Sequence, residues 1–225
     1  MATREALQPD SEAADARHLA ERIADACLVI LSGSGHASAP AERDTTAQAI
    51  LASLDDTSRR RDTGRFLTTV LMTDVVDSTL TVARLGDRRW RELLGRHYAD
   101  CRMHVDHGGG ELVSTTGDGV VAIFDGPTRA IRAATAIQAS ARAAGLAVRA
   151  GVHAGECERM PDGVAGLAVH IAARICALAG ADEIMTTGTV RDLMVGSVLA
   201  FEPRGSHELR GVPGAWTVFA AADLT

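Results

Sequence analysis

The stretch FLTTVLMTDVVDST, residues 66–79, decides how this chain is read. Phe66, Leu67, Val70, Leu71 and Met72 form an apolar run of the length a buried strand uses. The run then meets Asp74, Asp77, Ser78 and Thr79. A lone buried carboxylate is costly, so a strand ending this way needs a hydrogen bond, an opposite charge or a metal to receive it.

A second acidic position lies in STTGDGVVAIF, residues 114–124, where Asp118 sits between Gly117 and Gly119. ELVSTT (111–116) and GVVAIF (119–124) flank that glycine pair as a tight hairpin. Between the two acidic sites, Trp90, Leu94, His97, Cys101 and Val105 recur at helical spacing, which predicts one helix from about Leu80 to His107, closed by Gly108–Gly110. A second helix is expected over about 127–144, with Ile131, Ala134, Ile137 and Ala141 inward. LAVRAGVHAGE (146–156) reads as a strand, CERMPDG (157–163) as a polar connection, and about 165–179 as a third helix. Short elements follow at EIMTT, VRDLMVG, SVLAFEPR, HELRG and AWTVFAA.

The order strand, helix, strand, strand, helix, strand predicts an α+β fold of the ferredoxin-like βαββαβ kind, extended by extra C-terminal elements. In that fold the strand ending at Asp74 lies beside the hairpin tip. The two carboxylates then meet although 44 positions (118 − 74) separate them. Two carboxylates ~4 Å apart near a surface repel by roughly 4 kcal/mol, which a hard cation between them removes. Magnesium uses few carboxylates and leaves positions for water and phosphate. VVDST adds helix N-terminal amides and two hydroxyls as phosphate donors, although Asp77 or Ser78 capping the helix explains the same residues more simply.

Composition narrows the setting. The chain has 225 residues, 46% of them hydrophobic, and a net charge of −6. No electrostatic case arises for nucleic acid or an anionic membrane surface. Cys27, Cys101, Cys157 and Cys176 are widely spaced with no CxxC pair, as expected of reduced thiols. No apolar run reaches the ~18 residues of a membrane helix, and the acidic, polar N-terminus is unlike a signal peptide. A cytoplasmic protein is expected. His97, His104, His107 and His153 show no ligand spacing.

TDVVDST followed by STTGDGVVAIF resembles the catalytic core of class III nucleotidyl cyclases. AVRAGVHAGE (147–156), GLAVHIAARICALAG (166–180) and HELRGVPGAW (207–216) continue the resemblance, which covers roughly residues 64–222. The C-terminal pattern is most similar to bacterial cyclases that follow an α/β-hydrolase domain. The resemblance implies a nucleoside triphosphate, most simply ATP, closing to a 3′,5′-cyclic monophosphate with release of pyrophosphate. It also implies two Mg²⁺ or Mn²⁺ ions per site and a homodimer with active sites at the subunit interface. Asp74 and Asp118 match its metal-binding aspartates, and Val75 a position whose backbone carbonyl reaches a metal. Val76, Asp77, Ser78 and Thr79 match its phosphate loop. Gly117 belongs to the same nucleotide site, and Arg149 and Arg210 match basic positions near the polyphosphate. Arg174 matches the arginine that stabilises transition-state charge.

Three positions depart from the pattern. Ser114 stands where a purine-reading lysine is usual, its partner position falls near Gly163, and His170 replaces the asparagine four residues before Arg174. His170 and Arg174, at i and i+4, share one helix face, so His170 is a candidate ribose donor. An ordinary strand serine is the simpler account of Ser114.

The highly charged DDTSRRRDTG (55–64) places a boundary near Asp62, so that residues 1–62 are a remnant and linker. LAERIADACLVILSGSGHASAPAERDTTAQAILASL (19–54) is similar to the tail of an α/β-hydrolase, with Gly35-His36 in the position of the triad histidine. No GxSxG elbow precedes it, so a hydrolase remnant without hydrolase activity is expected. Residues 63–225 then form the cyclase domain. The alternative function is a degenerate cyclase domain that binds nucleotide or dimerises in regulation. Another two-metal phosphoryl transferase leaves AVHIAAR unexplained.

Overall fold

The computed structural model describes His18, residues 64–161 and residues 163–222. The expected hydrolase remnant therefore lies outside the described residues. The chain divides between Thr63 and Gly64.

Strand β1 (Arg65–Val75) is followed by helices α1 (Ser78–Leu85) and α2 (Asp87–His107), the hairpin β2 (Glu111–Thr116) and β3 (Gly119–Phe124), and α3 (Pro127–Ala143). Then come β4 (Val148–Met160), β5 (Gly163–Ala165), α4 (Leu167–Leu178), β6 (Ile184–Thr187), α5 (Gly188–Leu193), β7 (Ala200–Glu208) and β8 (Ala215–Ala222). The sheet order is β2-β3-β1-β4-β6-β8-β7, with β5 paired to β4. The segment β4-β1-β3-β2 is antiparallel throughout. It is the ferredoxin-like core expected from the sequence, and β6, β8 and β7 extend it.

β1 carries apolar residues on both of its faces because both are covered. Leu71 and Val75 join Cys101, Val105, Ile131 and Ile137 beneath α2 and α3. Val70, with Phe66 and Met72, packs on the opposite face against Ala168 and Ala172 of α4. At Gly151 the helix backbone lies directly on β4: a Cβ there would sit 2.3 Å from the Cys176 amide nitrogen and 2.5 Å from the Ala172 carbonyl oxygen. That contact fixes how α4 lies across the sheet.

The expected single helix over 80–107 is two, parted at Gly86, whose φ of 77° no ordinary helical residue adopts. The polar segment after Glu156 is not a loop. β4 continues to Met160 and folds back through β5 as an arm. Arg159 pins the arm, pairing with Glu111 at 3.0 Å and lying 5.3 Å over the Phe66 ring. The two short elements expected over 197–211 are one strand, β7, with an irregularity between Pro203 and Ser206; an edge strand tolerates proline there. No helix among the described residues is long and apolar enough to cross a membrane.

Candidate active site

Asp74 is the penultimate residue of β1, and the ladder sets Arg149 of β4 directly opposite it. Arg149 donates to Asp74 Oδ2 from Nε at 2.8 Å and from Nη2 at 2.5 Å. Both side chains are about one-third exposed. The Asp118 carboxyl approaches that of Asp74 from the two-residue turn between β2 and β3, near enough to act on its charge. Burial, reinforced by Asp118, raises the Asp74 pKa above the usual carboxylate value; the Arg149 guanidinium opposes the rise.

Local chemistry holds the turn in place. Gly117 has φ of 72°, and its carbonyl accepts from the Tyr98 hydroxyl of α2. Burial, then the Asp118 charge, raises the Tyr98 pKa. The Val120 amide donates to Thr73 Oγ1 at 3.2 Å. Gly119 lies so close to β1 that a Cβ there would stand 1.8 Å from the Thr73 carbonyl oxygen. Neither Tyr98 nor Thr73 was singled out in the sequence. A hydroxyl just before Asp74 and an aromatic on the α2 stripe were the available signals.

The residues expected to form a phosphate loop lie where β1 passes into α1, beside this pair of carboxylates. Asp77 is left-handed, φ 55° and ψ 34°, and makes no side-chain cap, so the simple capping account of Asp77 fails. The Val76 amide is committed to the Ala147 carbonyl at 2.9 Å and is not a free phosphate donor. Ser78 and Thr79 open α1 with their amides at its N-terminus.

Ser114 is half-buried on β2 opposite Val121, just after the irregularity at 113. Gly163 lies beside it on the arm: a Cβ at Gly163 would meet Val113 Cγ1 at 2.8 Å. The two expected base-reading positions are thus neighbours, but one is a serine and the other has no side chain.

Three residues are not brought to the carboxylates. His170 and Arg174 are exposed, on the side of α4 opposite its buried Ala168, Ile171, Ala172, Ile175 and Cys176. Arg210 follows β7, whose Glu208 pairs with Ala215. Asp74 pairs with Arg149, the next residue Ala150 with Ile184, Met185 with Ala220 and Ala220 with Glu202, so Arg210, beyond Glu208, lies toward the opposite end of the sheet. About seven residues of strand, roughly 20 Å, separate the two ends. The expectation that Arg210 joins the nucleotide site is not met within one chain.

Two carboxylates with the Val75 backbone carbonyl next in sequence offer hard oxygen donors, which suit Mg²⁺ or Mn²⁺. No group of three or more acidic, histidine or cysteine ligands occurs among the described residues, so water and substrate phosphate would complete the coordination of such an ion.

Among solved structures, the adenylyl cyclase CyaB of P. aeruginosa superposes with a TM-score of 0.66 at 18% identity, covering 72% of this chain and 96% of that one. The fold is that of nucleotidyl cyclase catalytic domains. An adenylate/guanylate cyclase/hydrolase from Silicibacter pomeroyi gives a TM-score of 0.61 at 24% identity, over 72% of this chain and 99% of its own. A dimeric guanylyl cyclase domain of Blastocladiella emersonii gives 0.62 at 16%, over 70% and 97%. In sequence, an uncharacterised protein of Mycobacterium tuberculosis is 36% identical over 94 residues, 41% of this chain. The chain spans about a quarter of that relative's length, the matched segment being 24% of it. No protein-family model matches.

Proposed function

We propose that residues 64–222 are a nucleotidyl cyclase, an adenylyl cyclase in the reading we favour, converting ATP to 3′,5′-cyclic AMP and pyrophosphate. The observation that carries the proposal is the meeting of Asp74 and Asp118, 44 positions apart, with Arg149 on the same carboxylate. Like-charged groups are gathered at such cost chiefly where a cation or a reaction uses them.

Divalent metal held by Asp74, Asp118 and the Val75 carbonyl would supply activation of the attacking oxygen and neutralise charge on the leaving group. The chain's own residues do the rest. The Ser78 and Thr79 amides and hydroxyls receive phosphate at the start of α1. Arg149 lies beside the carboxylates as a phosphate partner. Arg174, from a second copy of the chain, meets charge developing in the transition state, and His170, one turn away, donates to the ribose. Ser114 and Gly163 line the base.

A second reading is a nucleotide-binding regulatory module, favoured by the missing charged pair at Ser114 and Gly163. Incubation of the full chain with ATP or GTP and Mn²⁺ or Mg²⁺, with chromatography of the products, separates the two. Cyclic nucleotide that vanishes in Asp74→Ala and in Asp118→Ala supports the enzyme. Nucleotide binding without product supports the module, and neither binding nor product sinks both.

A further inference from the structure

We propose that Arg149 is a built-in counter-ion that competes with divalent metal for Asp74, so that metal and nucleotide bind the site cooperatively. The inference rests on the cyclase reading above and concerns the same carboxylates. Two donors of one guanidinium, Nε and Nη2, converge on the single oxygen Asp74 Oδ2 at 2.8 and 2.5 Å. An ion using that oxygen must share it with a fixed positive charge or move that charge aside.

The backbone beneath Arg149 does not give way. Its register against Asp74 lies within eleven consecutive β1–β4 pairs. Its carbonyl is 3.7 Å from Cys176 Sγ of α4, and the next amide, of Ala150, donates to the Glu183 carbonyl at 2.9 Å. Only the Arg149 side chain can move, and being one-third exposed it has room to.

Charge decides where it goes. Asp74 and Asp118 carry −2, Arg149 returns +1, and one divalent ion brings the cluster to +1. Metal alone thus crowds two cations onto one carboxylate. Phosphate oxygens give the guanidinium another partner of the geometry it binds best. Phosphate draws Arg149 from Oδ2, metal takes the freed oxygen, and each ligand strengthens the other by the same factor. Arg149 is a positioning residue for the metal in this account.

The test is Mn²⁺ binding to the full chain, followed by the electron paramagnetic resonance of free Mn²⁺, with and without 3′-deoxy-ATP. That analogue lacks the attacking hydroxyl, and the metal it binds by itself is subtracted. For wild type we expect weak Mn²⁺ binding that tightens about tenfold or more with the analogue, within the roughly 5–150-fold range of ordinary coupling. Arg149→Gln should bind Mn²⁺ alone about tenfold tighter than wild type and show less than about threefold coupling. Equal or weaker Mn²⁺ binding by Arg149→Gln overturns the proposal. If that variant does not fold, the wild-type measurement alone still decides, because absence of coupling overturns it as well. Asp74→Asn is the control: Mn²⁺ binding that ignores this change sinks the metal site itself, and with it the cyclase reading. Asp74-dependent binding without the Arg149 effect sinks only the counter-ion.

Discussion

Gly119→Ala should injure the fold and the site together, and the structure sets how much. A Cβ at 119 would stand 1.8 Å from the Thr73 carbonyl oxygen, 2.8 Å from its carbon and 3.2 Å from Asp74 Cα. All three are β1 backbone, so no rotamer change relieves the clash. A carbon approaches a carbonyl oxygen comfortably at about 3.3 Å, so β3 must retreat by roughly 1.5 Å. The Val120 amide would then lose Thr73 Oγ1, now at 3.2 Å. Overpacking costs about 1–3 kcal/mol and the hydrogen bond about 1 kcal/mol, which gives roughly 2–4 kcal/mol in all. At about 2–4 °C per kcal/mol for a domain of this size, the melting temperature should fall by roughly 5–15 °C. Asp118 precedes the clash by one residue, so its reach to Asp74 should be lost too, and cyclase activity with it. Gly117→Ala is the comparison. Nothing lies within 4 Å of its Cβ, and only its φ of 72° is unfavourable, a cost of about 1–2 kcal/mol. Thermal melts and cyclic-nucleotide assays on both variants check the ranking. A Gly119→Ala protein that melts within about 1 °C of wild type, well inside the expected loss, would refute the close approach of β3 to β1.

Burial pushes the His153 pKa down to about 4, with Nδ1 2.9 Å from Thr187 Oγ1 and the ring edge-on to Trp216. The unfolded chain protonates this histidine near 6.5, so folding stability should fall as pH drops from about 6.5 toward 4, by roughly 2 kcal/mol at pH 4.5; urea melts at pH 7 and 4.5 should show that share of the loss missing in His153→Gln. Ser114→Ala should change kcat/KM for ATP by less than about tenfold, near 1.4 kcal/mol, and discrimination between ATP and GTP should be modest. Arg174→Ala should cost far more, since it removes charge stabilisation made mainly in the transition state; equal losses in the two variants would give Ser114 a direct role. Asp118→Ala and Arg174→Ala, each inactive alone, should recover about a quarter of wild-type activity when mixed, since half of the two-fold pairs would be mixed with one intact site each. No recovery after confirmed subunit exchange would refute the shared site.

What was legible in the sequence was local. The β1 run, the Gly117-Asp118 turn and the inward positions of α2 and α3 follow from periodicity within a few residues, and the buried His97, Cys101, Val105, Ile131 and Ile137 match it. The βαββαβ order then sufficed to bring Asp74 to Asp118. What was not legible, the pairing of Arg149 with Asp74 included, depends on register or surroundings. Arg149 meets Asp74 only because β1 and β4 pair over eleven residues in one alignment, 75 positions apart. Glu158, Arg159 and Met160 are exposed on an arm, so their polarity reads as loop although their backbone is strand. Arg210 lies at the other end of the sheet from Asp74 in its own chain, which a motif does not reveal because it gives neighbours in sequence and not the end at which a strand stops.

The division between residues that meet and residues that do not carries an argument of its own. The carboxylates, Arg149 and the start of α1 come from strand ends and turns of one sheet, and one chain assembles them. Arg174 and His170 cannot join them by any small motion. The α4 backbone lies on Gly151 with no room for a methyl group, and turning the helix would bring the exposed Arg174 inward only by driving Ile171 and Ile175 out to solvent. The same outer face carries Leu167, 50% exposed, and Leu178, 39% exposed. If Arg174 serves the proposed cyclase site, it must therefore do so in a second copy of the chain, because its own α4 presents it away from Asp74 and Asp118.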